Sequence, residues 1–131
     1  MKIFKKIDKN LITYLVAAVF LILLFVFLIT STWIGYGVED QCRLAKQKYE
    51  GDCVEALMSS ISDESTKLGK NNAIWALGQL GDRRALPLLE SYYSGVKKER
   101  ESWEEGISQY ELNKAIKLLK SGFNLTAFVW R

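Results

Sequence analysis

With 131 residues, the chain has room for one small domain beside a membrane-spanning or signal segment. Its net charge of +3 arises at the start, where Lys2, Lys5, Lys6 and Lys9 face only Asp8; from Gly35 onward 14 Lys and Arg balance 14 Asp and Glu. A neutral folded part excludes a nucleic-acid reader built on a basic face, and the lack of histidine removes the commonest general acid–base and metal-binding side chain.

Residues 11–34, LITYLVAAVFLILLFVFLITSTWI, carry no charge. A helix of that length spans the roughly 30 Å hydrocarbon core of a bilayer with some tilt. A cleaved signal peptide fits less well, because its apolar region is usually about 7 to 15 residues and ends at a small-x-small site, and TSTWIGYG offers a poor one. A lipoprotein fits less well still, because Glu39, Asp40 and Gln41 precede Cys42 where a lipobox has small and apolar residues. The expectation is an uncleaved signal anchor. Lysines beside a span stay on the cytoplasmic side. Residues 1–10 are therefore expected inside, 11–34 in an inner or plasma membrane crossed once, and 35–131 as a periplasmic or extracellular domain. Trp33 and Tyr36 at one end and Tyr14 at the other suit an interfacial aromatic belt. Gly35 and Gly37 predict a loosened exit at which the domain swivels.

Cys42 and Cys53 have ten residues between them. In an oxidising space a disulfide is the natural reading, with a buried thiol pair or a redox pair as alternatives. Zinc is not expected, since two thiols without histidine cannot complete a tetrahedral site, and the spacing is not C-x-x-C. Asp52 followed by Glu55 predicts a capped helix start at Cys53, which puts Cys42 near the end of the preceding helix.

Beyond the anchor the pattern is of short helices parted by Gly, Asp and Ser, without alternating strand periodicity. The first is expected over about 39–48, as a separate helix or as a continuation of the anchor's direction. The second, CVEALMSSIS, sets Val54, Leu57, Met58 and Ile61 at helical spacing. The third, over about 70–80, buries Ala73, Ile74, Ala76, Leu77 and Leu80; the fourth, over about 84–93, offers Leu86, Leu89 and Tyr93; the last, SQYELNKAIKLLK, offers Leu112, Ala115, Ile116 and Leu119. Between the third and fourth, Gly81 permits a sharp turn, Asp82 caps the next helix, and Pro87 falls within its first turn. Two weak self-alignments, Val54–Leu57 with Leu86–Leu89 and Ala73-Ile74 with Ala115-Ile116, indicate a degenerate repeat of unequal spacing.

The run ALGQLGDRRALPLLESY resembles a HEAT-type repeat of the variety found in phycobilisome-lyase-like repeats, with A-L-G-x-L-G-D-x-R-A-L-P-x-L matched over residues 76–89. More loosely, residues 53–131 resemble small membrane-anchored HEAT-repeat proteins of bacteria, in which QYEL-x-K-A-I-K-L is followed by G-x-N-x-T-A-x-x-W-[RK]; residues 109–118 and 122–131 fit. The resemblance implies an all-α fold, one transmembrane helix followed by a short HEAT-like solenoid of helical hairpins. It implies no reaction. The family's name alone suggests a lyase-like chaperone.

Candidate partner-binding residues are few. Trp75 lies off the main apolar stripe of its helix, as a binding anchor or as packing against the next unit. Arg83 and Arg84 at the turn suit an acidic partner or a solvated turn. Trp103 sits in the charged loop GVKKERESWEEG, which marks either a contact surface or a linker. Asn124-Leu125-Thr126 formally matches a glycosylation acceptor. The tail GFNLTAFVWR is too apolar to be free. With Gly122 ending the last helix, Phe123 is expected to touch its final turn, and Leu125, Phe128 and Trp130 to lie extended as a cap on the stack. The alternative makes Phe128, Val129 and Trp130 a recognition peptide or a second membrane-surface contact. Without histidine or a Gly-rich phosphate cradle, catalysis, a cofactor, a metal and a small-molecule substrate are not expected. The sequence therefore points to a membrane-anchored adaptor for protein partners, or to an accessory subunit held in a membrane complex by its span.

Overall fold

The computed structural model describes residues 8–63, 69–95 and 106–131, and among these the regular structure is all helix. In chain order the helices are α1 (Lys9–Lys46), α2 (Cys53–Ser62), α3 (Lys70–Leu80), α4 (Leu86–Tyr92), α5 (Gln109–Ser121) and α6 (Ala127–Trp130), with a 3₁₀ turn, Arg83–Ala85, leading into α4.

The swivel expected at Gly35 and Gly37 is not found, and the helix expected from about residue 39 continues the anchor's direction: α1 runs unbroken for 38 residues. Glycine concedes about 1 kcal/mol of helix propensity to alanine, but each of these two lies under a tryptophan. A Cβ on Gly35 would stand 2.6 Å from Cβ of Trp130, and one on Gly37 would stand 3.0 Å from Cη2 of Trp75. The glycines thus admit two indoles against the helix instead of loosening it. Below them α1 is long and apolar enough to cross a membrane. Its threonine hydroxyls donate to carbonyls one turn back, Thr13 to Lys9, Thr30 to Val26 and Thr32 to Leu28, so they add no unsatisfied polar group to that surface.

Past Gly37 the same helix becomes part of the domain core. Ala45 joins Leu57 and Ile61 of α2, Ile74 and Leu77 of α3, Leu89 of α4, and Leu112 and Leu119 of α5 in one cluster. Helix α3 is central and packs on α1, α2 and α5, while α4 lies on α5 and α6 returns to α1. The stripes read from the sequence are buried in α2, α3 and α5, with Met58 and Leu80 at the margin. In α4 only Leu89 is fully buried; Tyr93 lies just past the helix and is exposed, because α4 ends one residue earlier than its periodicity suggested.

The ends of the elements follow from single residues. Asp52 caps α2 by accepting from the Glu55 backbone N–H while the Glu55 carboxylate accepts from the Asp52 N–H, a reciprocal capping box. Gly81 closes α3 at φ +66° and Gly122 closes α5 at φ +65°, both left-handed as a C-terminal glycine allows. Asp82 caps the 3₁₀ turn through the Arg84 N–H, and Ser108 caps α5 through the Glu111 N–H.

Candidate interaction surface

The two cysteines are joined, with their Cα atoms 5.1 Å apart. The bond ties the next-to-last turn of α1 to the first residue of α2. Across the same pair of elements, Lys48 and Tyr49 both donate to the Asp63 carboxylate just beyond α2, at 2.8 and 2.6 Å. Asp63 holds the Lys48 ammonium above its ordinary pKa, chiefly through that hydrogen bond.

Arg84 is engaged within the chain. Its guanidinium reaches the carboxylates of Asp52 at 2.7 Å, Asp82 at 2.8 Å and Glu55 at 3.6 Å, linking the turn after α3 to the first turn of α2. The Asp82 carboxyl is pulled below the usual range by the Arg84 side chain; that of Asp52 is lowered first by the Glu55 N–H and then by Arg84. The guanidinium itself is shifted upward by these hydrogen bonds. Arg84 therefore reads carboxylates of its own chain. Arg83 beside it is exposed, on the side toward Gly122. Trp75 is half-buried, packs against the core cluster and reaches α1 at Gly37. Trp103 lies outside the described residues.

The tail departs most from its expected form. It is not an extended strip over the end of the stack: residues Ala127–Trp130 form a short helix lying against α1. Phe123, expected against the last turn of α5, is 67% exposed. The reason is a set of polar attachments to the C-terminal end of α3. Asn124 Nδ2 donates to Gln79 Oε1 at 2.8 Å, Thr126 Oγ1 donates to Asn124 Oδ1 at 2.8 Å, and Arg131 donates to the Gln79 carbonyl oxygen. A cation at the carbonyl end of a helix complements its dipole. These ties steer the chain across α3 and set Ala127 and Trp130 down on α1, where Ala127 and Ser31 are both buried.

Between α1, α2, α3 and α6 lies a mostly apolar cavity of about 400 Å³, walled by Tyr36, Val38, the disulfide, Leu80 and Trp130. The Trp130 indole N–H and the Ser31 hydroxyl are buried without a hydrogen-bond partner among the described residues. Outside that contact Phe128 is 87% exposed and Leu125 56%, while Trp130 is seated on α1 at Gly35.

Sequence reasoning did not find the bracing amides. Asn71 of α3 donates to the Gly106 carbonyl and accepts from the Ser108 N–H, and Gln109 of α5 accepts from the Ser94 N–H and donates to the Tyr92 carbonyl. Asn124 matched a glycosylation motif, yet its amide serves Gln79. An amide in a helix's first turn or just after a C-terminal glycine was the available signal, and it does not name its distant partner.

The hairpin of α3, the 3₁₀ turn and α4 is the segment that relates this chain to known proteins. Residues 70–94 match the PBS lyase HEAT-like repeat. No curated protein and no solved structure matches the chain. The HEAT-like repeat carries the Gly81 turn, the Asp82 cap and Pro87 in the first turn of α4, so its sequence signature is a set of turn and cap positions. Repeats of this class bind through extended surfaces, which suggests a protein-interaction module.

Proposed function

We propose that this protein is a single-pass membrane-anchored interaction module, with Lys2, Lys5, Lys6 and Lys9 on the cytoplasmic side and the helical domain on the far face. The supporting observation is that α1 passes without a break from a bare apolar half into the domain core. An exposed apolar helix of this length is costly in water and suited to a bilayer. The disulfide agrees with an oxidising compartment, and the lysines with the positive-inside rule. The partner is a protein, recognised by the HEAT-like domain, and the role is non-catalytic.

Two experiments test this. A reporter active only outside the cytoplasm, fused after Arg131, should be active; activity solely from a cytoplasmic reporter would reverse the orientation. Crosslinking in native membranes should identify a partner that survives replacement of residues 11–26 by an unrelated apolar helix, a swap that leaves Gly35 under Trp130. Loss of the partner on that swap would move recognition into the span and make the protein a subunit held by its helix.

A further inference from the structure

The level at which α6 meets α1 has a consequence for the lipid. At about 1.5 Å per residue the uncharged run of residues 11–34 is roughly 36 Å long, several ångströms more than the hydrocarbon core it would cross. Its last turn and the turn beyond it then lie in the interfacial layer, where Trp33 and Tyr36, 77% and 67% exposed, suit the aromatic belt. Helix α6 is fixed at this same level, with Trp130 over Gly35. From Ser121 to Trp130 the sequence has no charge. The one charge of the tail, Arg131, is drawn to the Gln79 carbonyl at the end of α3. What the tail leaves most uncovered is Phe123, Leu125 and Phe128, with Val129 exposed to a smaller degree. Three large apolar side chains on a segment held by its own hydrogen bonds are not a loose end, and such a patch marks an interaction site. The seat of α6 on α1 at Gly35, where the uncharged run ends, selects the occupant.

We propose that Phe123, Leu125 and Phe128 enter the lipid interface beside the point where α1 leaves the bilayer, as a second membrane contact that fixes the domain against the membrane surface. The proposal rests on the reading of α1 as a span, and the test separates the two. The full-length protein is reconstituted in nanodiscs of phosphatidylcholine and phosphatidylglycerol containing a phospholipid with a diazirine at the top of its acyl chain, irradiated, and digested with trypsin. The expected result is lipid adducts on both the α1 peptide and the peptide of residues 121–131. Phe128→Glu, at a side chain with almost no packing to lose, should cut tail labelling by roughly tenfold while leaving α1 labelling unchanged. Labelling of α1 with a bare tail overturns the proposal and leaves the span intact; the mass of the particle in the same discs then shows whether a second copy covers the strip. Absence of adducts from α1 overturns the span reading and the proposal with it.

Discussion

At Gly78 the backbones of α3 and α5 come so close that a Cβ would stand 2.8 Å from Cα of Ala115. Backbone cannot yield as a side-chain end does, so Gly78→Ala should destabilise the protein by about 1 to 2 kcal/mol, the overpacking cost exceeding the gain in helix propensity; a higher chemical-denaturation midpoint would contradict this. Nothing in the sequence separated this glycine from those that turn the chain, because close approach is a property of two segments. Ser31 gives the opposite expectation. Its buried hydroxyl has no partner among the described residues, so Ser31→Ala should be neutral or stabilising by thermal unfolding. The carboxylates around Arg84 set the response to acid. Asp52 and Asp82 have lowered pKa values in the folded state, so the folded protein binds fewer protons there than the unfolded chain. Their contribution is present above about pH 4, the ordinary aspartate value, and is lost as the pH falls from there toward the depressed folded values. In a melting series from about pH 5 to pH 2, Arg84→Ala should flatten the acid-side decline.

Among the elements, α2, α3 and α5 were legible because each has a cap or a left-handed glycine at a recognisable offset and a stripe facing one core. The glycine exit of α1 and the tail that forms α6 were misread for a shared physical reason. Gly35 and Gly37 look like a hinge only when the indoles that fill them, from residues 130 and 75, are not in view, and GFNLTAFVWR looks extended only when its ties to Gln79 are unknown. The coupling between these two elements is open to measurement. Gly35→Leu should push α6 off α1 and lower the melting temperature of the full chain, as should deletion of residues 123–131. Because both remove one contact, the double variant should lose about as much as the worse single one, whereas additive losses would mean that Trp130 and Gly35 act independently. The candidate sites were less legible than the fold. Arg84 had the chemistry expected of a carboxylate reader, and the carboxylates it found belong to its own chain.

For the whole molecule, the disulfide closes the connection between α1 and α2. The chain-entropy model assigns a loop of this size about 3 kcal/mol, a large share of a small domain's stability. Reduction, or Cys42→Ala with Cys53→Ala, should lower the unfolding midpoint accordingly, and an unchanged midpoint would remove the bond from the set of features that hold the domain together. The continuity of α1 gives the molecule a further property, one of phase. An α-helix turns about 100° and advances about 1.5 Å with each residue. With no hinge between its lower end and the core, the number of residues below Phe27 sets the compass bearing of the domain relative to whatever grips that lower end. One alanine inserted there would rotate the whole domain by about 100°, while seven would bring it back to within about 20° of its starting azimuth, displaced by about 10 Å along the axis. A partner that touches both ends of α1 would register the first change far more than a partner that touches the domain alone.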